Sequence, residues 1–109
     1  MYSEYNKRYF GGRLPKIPVK FCQNLDDDEY GYTQLSMNGN GWKVEHIYLN
    51  YNQMYGHWKW CRITLLHECA HTDLVVRGHW RASMNHGKMF YREIARLEKA
   101  GAYRRQQLL

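Results

Sequence analysis

The sequence predicts an α+β domain with an N-terminal helix, a three-stranded antiparallel or mixed sheet, a long central helix and a C-terminal helix. Three observations lead there. Apolar residues recur at helical spacing near both ends and through Ile63–Val76. Short runs in the first half alternate apolar and polar residues around the turn-forming cluster Asn38-Gly39-Asn40-Gly41. The chain has 109 residues, 44% hydrophobic and 16% aromatic, which suits one modest core and not two. One domain over residues 1–109 is expected.

In order, Met1 to Phe10 reads as an amphipathic helix with Tyr2, Tyr5, Tyr9 and Phe10 inward, and Gly11-Gly12 ends it. In Lys16–Cys22, Ile17, Val19 and Phe21 alternate with polar residues, which predicts a strand with one buried face. Asp26-Asp27-Asp28-Glu29 lacks the spacing of a calcium loop and reads as a solvated turn. Tyr30–Met37 and Trp42–Asn50 are the other two strands, and Tyr51–His57 is a polar, aromatic link. Trp58–Arg77 is the long helix, closed by Gly78. Trp60, Ile63, Leu66, Ala70 and Leu74, with Leu65, Cys69 and Val76 opposite, make it apolar nearly all round, so it is expected inside the domain. Gly78–Asn85 is a basic, aromatic loop, Gly87–Ala100 is the last helix, and the tail from Ala102 is basic and frayed.

Within the long helix stands His67-Glu68-Cys69-Ala70-His71, an H-E-x-x-H pattern. Histidines one turn apart project from one face and converge on a single ion such as zinc. A carboxylate beside them is placed to take a proton from water at the metal, and this spacing recurs in zinc peptidases. Such a site needs a third ligand. The metzincin extension would require Gly at position 74 and His at position 77, where this chain has Leu74 and Arg77. His86 is the favoured third ligand, because a returning last helix brings it over the first; His79 and Glu93 stay as alternatives. Cys69 points away and reads as a buried thiol, while His46 and His57 read as surface or strand-edge histidines.

Composition narrows the partners. The start carries no secretory pattern and no apolar run is long enough to span a bilayer, so a soluble cytoplasmic or nuclear protein without membrane contact is expected. Cys22, Cys61 and Cys69 have no C-x-x-C spacing and are expected as reduced thiols. The net charge is +6. Residues 1–50 balance six basic against six acidic residues, and residues 51–109 hold ten against four. The excess thus lies with the H-E-x-x-H half and suggests nucleic acid.

Three segments carry a family resemblance. Asn6-Lys7-Arg8-Tyr9-Phe10-Gly11-Gly12-Arg13-Leu14-Pro15 resembles the N-terminal signature of the SprT-like metalloproteases, which include the Spartan-type DNA–protein crosslink proteases. His67–His71 resembles their catalytic motif, and His86-Gly87-Lys88-Met89-Phe90 is similar to their H-G-x-x-F element. The resemblance implies a small zincin-like metalloprotease domain. One zinc ion would be held by His67, His71 and His86, with Glu68 as catalytic acid/base. It implies a zinc metalloendopeptidase whose substrates are DNA-bound or DNA-crosslinked proteins. Many members carry a C-terminal zinc ribbon that this sequence lacks. A minimal form or a fragment is therefore expected, with DNA held by the protease domain itself.

Expected contacts to DNA, single-stranded in preference, are Trp80, Arg81, Arg92 and Arg96; Trp58–Arg62 and Arg104-Arg105 offer further basic and aromatic groups. Trp60 is assigned to the interior. Tyr91 and Arg81 are candidate oxyanion donors. Two rival readings are a binding module with structural zinc and a peptidase with no DNA role.

Overall fold

The structure is a computed structural model. It describes residues 1–39, 41–81 and 86–103. Asn40, the end of the 78–85 loop and the tail with Arg104 and Arg105 lie outside the described residues.

The architecture is α+β with a mixed sheet. Helix α1 spans Tyr2–Tyr9. Strands β1 (Val19–Cys22), β2 (Gly31–Asn38) and β3 (Gly41–Asn50) follow. After them come α2 (Tyr51–Met54), α3 (Trp58–Val76) and α4 (Lys88–Lys99). The sheet order is β1-β3-β2, with β1 parallel and β2 antiparallel to β3, so β2 is an edge strand among the described residues. Ile47 and Leu49 of β3 are fully covered and pack with Leu65, Leu66, Cys69, Ala70 and Leu74 of α3 in the main core.

Side-chain amides set the element boundaries. Past α1, Gly11 and Gly12 adopt φ of 59° and 77°, a turn that favours glycine. Asn6 pins that turn, donating to the Leu14 carbonyl at 3.0 Å and accepting from the Leu14 N–H at 2.9 Å. Fully buried Asn50 accepts from Asn52 N–H at 3.1 Å and starts α2 where the sequence predicts only a link. Its amide also donates to the carbonyls of Asp26 (3.0 Å) and Glu29 (2.7 Å), which shapes the acidic turn. At the end of α3, Gly78 has φ of 85°, and His79 N–H reaches the Leu74 carbonyl at 2.8 Å.

Three expectations about burial need correction. Trp60 is 57% exposed, not interior. At 100° per residue it shares the stripe of Thr64, His67 and His71, which faces the cleft and not the core. Val76 is exposed because it lies in the last turn of α3. Phe21 is also exposed, and it meets the rings of Tyr51, Tyr55 and Trp58 edge-on at 5.4–6.3 Å instead of entering the core. No described helix is long and apolar enough to cross a membrane.

Candidate metal centre

The i, i+4 spacing on α3 brings His67 Nε2 and His71 Nε2 to 3.2 Å. The chain returns into α4 so that His86 Nε2 lies 3.2 Å from His71 Nε2. The donor nitrogens of all three histidines lie within 4.8 Å of one another. Metal–nitrogen bonds of about 2.0–2.1 Å at tetrahedral angles put ligand nitrogens about 3.3–3.4 Å apart. Both the spacing and the all-imidazole donor set therefore fit a metal ion of the zinc type. Burial, and next the proximity of His86, depress the His67 pKa to about 4, which keeps its imidazole neutral as a ligand must be.

Phe90 backs all three rings. Its ring stacks on His71 at 4.5 Å and lies 4.6 Å from His86 and 4.9 Å from His67. The sequence marks Phe90 as an apolar residue of the last helix and as the final residue of the H-G-x-x-F element. Its contact with every imidazole depends on how α4 crosses α3.

Glu68 is only 5% exposed. Its carboxylate Oε1 accepts from Thr33 Oγ1 at 2.7 Å, and its backbone carbonyl accepts from Thr72 Oγ1 at 2.9 Å. Burial pushes its carboxyl up to about 7; the Thr33 hydroxyl opposes the rise and the charge of Glu29 adds to it. The cleft above has a volume of about 480 Å³, lined by Gly31, Thr33, Leu35 and Trp42 from the sheet and by His67, Glu68, His71 and His86.

The other named residues lie as follows. His79 is exposed and Glu93 is buried, and neither belongs to the histidine cluster. Glu93 pairs instead with Arg77 and with Arg96, whose Nε donates at 2.6 Å. Arg96 also donates to the Tyr9 carbonyl at 2.7 Å and lies over the Phe10 ring at 5.2 Å. Arg13 makes a two-point contact with the covered carboxylate of Asp73, both bonds at 3.1 Å, and Arg77 reaches the same group at 3.4 Å. Residues of the Asn6–Pro15 segment thus hold α3, which carries His67 and His71, and α4, which His86 precedes. Trp80 packs on Trp42 at 5.1 Å, with the Arg81 guanidinium 5.2 Å from its ring. Arg92 and Tyr91 are exposed on α4.

Sequence reasoning missed Thr33, Gly31 and Trp42. A glycine at the start of a strand is a signal of close backbone approach, so Gly31 was readable. Thr33 and Trp42 carry no such mark, because their neighbours come from distant parts of the chain.

The histidine cluster could hold a metal ion, as in the metallopeptidase-type domains of the family that the chain matches. The chain matches the model of the SprT-like family over residues 1–107, and it belongs to that family. No curated protein and no solved structure matches it.

Proposed function

We propose that this chain is a zinc metalloendopeptidase that acts on DNA-bound or DNA-crosslinked proteins. The observation that carries the hydrolytic half is the convergence of three imidazoles beside a buried carboxylate in an open cleft. Zinc held by His67, His71 and His86 supplies Lewis acidity and acidifies water. Glu68 takes a proton from the attacking water and returns it to the leaving amine.

An extended peptide has a natural seat. The Asn50 N–H donates to the Tyr30 carbonyl at 2.9 Å, which makes Tyr30 and Asn50 a hydrogen-bonded pair. By alternation, Gly31 and Thr33 turn their N–H and C=O groups to the free edge of β2, beside Glu68. A substrate strand added there passes over the base.

The DNA half is supported by the +6 charge and by the Trp42–Trp80–Arg81 stack at the cleft. Trp80, Arg81 and Arg92 are the proposed contacts. Arg96 turns all three of its guanidinium nitrogens to Glu93 and the Tyr9 carbonyl, so it is left out of the proposed contacts. Zinc content and cleavage of casein, with and without single-stranded DNA, test the reading in wild type and Glu68→Gln. The variant is expected to retain zinc and lose cleavage. Normal cleavage by it would sink the assignment of the base, and cleavage indifferent to DNA would sink the DNA half.

A further inference from the structure

The carboxylate of Glu68 sits at the end of a side chain with three rotatable bonds, and a proton-transfer group must be held to a fraction of an ångström to work at full rate. Its own helix does not fix it. The fixing contacts come from β2.

Thr33 Oγ1 lies 2.7 Å from Glu68 Oε1 and 3.5 Å from the Glu68 carbonyl oxygen. A hydroxyl has one hydrogen to donate, and the shorter distance assigns it to the carboxylate. Thr33 is itself immobile. It is β-branched, stiff about χ1, and paired in register with Ile47, which is fully covered in the core. The sheet therefore anchors one of the two carboxylate oxygens.

Gly31, one strand repeat earlier on the same face, deals with the other. A Cβ at this position would lie 3.0 Å from Glu68 Oε2, 3.2 Å from Glu68 Cγ and 2.8 Å from Thr64 Cγ2. The Thr64 hydroxyl donates to Met54 Sδ at 3.4 Å, so turning its methyl away would break that contact. A side chain at position 31 would therefore disturb Thr64, the seating of the strand on the helix or the place of the carboxylate. The backbone at Gly31 needs no unusual φ, so the requirement for glycine here is space.

We propose that Thr33 is a positioning residue for hydrolysis: its hydroxyl holds Glu68 by Oε1, and the bare backbone at Gly31 leaves the room in which Oε2 meets the attacking water. The inference rests on Glu68 as the base, and it adds the device that aims it. It also joins two tasks in one strand. The free edge of Gly31 and Thr33 seats the substrate backbone while their inner face aims the base, so the scissile bond and the base share one reference frame.

The test compares wild type, Thr33→Val, Thr33→Ser, Gly31→Ala and Glu68→Gln as zinc-loaded proteins on casein with single-stranded DNA. It reads kcat, KM and zinc per chain, together with crystal structures of wild type and the Thr33 variants. Thr33→Val keeps the shape and removes the donor. Its kcat is expected to fall roughly 10- to 100-fold, with KM and zinc unchanged and the Glu68 carboxylate displaced in the crystal. Thr33→Ser restores the donor and is expected to recover most of the rate, and Gly31→Ala is expected to lower kcat. Thr33→Ala replaces Thr33→Val if the latter fails to fold. Wild-type kcat in Thr33→Val, or an equal loss in Thr33→Ser, overturns the proposal. An active Glu68→Gln overturns the assignment of the base, whatever Thr33 does. If wild type cleaves nothing, the proposed function fails, and an unmoved carboxylate in the Thr33→Val crystal still overturns the positioning role.

Discussion

Two side chains at the metal centre carry predictions of their own. Phe90 touches every imidazole of the cluster, so it fixes their relative orientation from behind. Phe90→Leu keeps the site apolar but removes the flat surface. Zinc affinity is expected to fall about tenfold, the scale seen when groups supporting metal ligands are lost; competition with a chromogenic chelator measures it. Glu68 gives a pH prediction for the metal-free protein. Its folded-state pKa of about 7 lies above the ordinary carboxyl value of 4.5, so between the two the folded state binds more protons than the unfolded one. Its contribution to stability therefore falls as pH rises from about 4.5 to 7, by on the order of 3 kcal/mol. His67 acts in the opposite sense: with its folded pKa near 4 against 6.5, it destabilises as pH falls through that interval. The difference in melting between wild type and Glu68→Gln isolates the Glu68 part, and the variant is expected to gain on wild type as pH rises. A difference that stays flat from pH 5 to 8 would contradict the shift.

At the level of elements, the helices and strands are joined by polar clamps that the sequence signals only in part. Asn50→Ala removes the cap of α2 and both bonds to the acidic turn, and is expected to cost roughly 2–3 kcal/mol in urea unfolding. Arg13→Ala leaves the fully buried Asp73 carboxylate with Arg77 and the Glu93 carboxyl as partners. Loss of one partner of a buried pair costs about 3–5 kcal/mol, and the exposure of Arg13 places this case at the low end. Periodicity located α1, β1 and α4, the Asn38–Gly41 turn cluster separated β2 from β3, and α3 was legible as a run apolar nearly all round. The helix pattern misplaced Trp60, since the stripe it shares with His67 and His71 is open to the cleft by design of the site. His67 and His71 of the candidate centre were legible because they fall in a short local pattern, and His86 because it opens the His86-Gly87-Lys88-Met89-Phe90 segment. The clamp residues Asp73 and Glu93 and the anchor Thr33 were not, because their partners are set by the packing of α1, α3, α4 and β2, which no local pattern records.

For the whole molecule, the charge and the metal set the behaviour. The basic excess lies in residues 51–109, so the proposed binding to single-stranded DNA is expected to weaken steeply as salt is added. Trp80→Ala and Arg81→Ala are expected to weaken it further, the latter with a shallower salt slope; fluorescence anisotropy measures both. Affinity that ignores salt would place the excess charge outside any nucleic-acid contact. Removing the metal is expected to lower the melting temperature, because an ion bound only by the folded chain stabilises it by mass action. The same chelator treatment should leave His71→Ala nearly unmoved.

The side of β2 left open among the described residues has a cost beyond the proposed catalysis. A strand with vacant N–H and C=O groups accepts any extended chain, including the same strand of a second copy, and Tyr32 and Met37 on it are exposed. Two copies paired edge to edge would each stopper the other's cleft. A net charge of +6 on each copy opposes that pairing, so screening it is expected to favour self-association. Concentrated protein in high salt should scatter light and lose activity per molecule, and a peptide that occupies the edge should keep it clear.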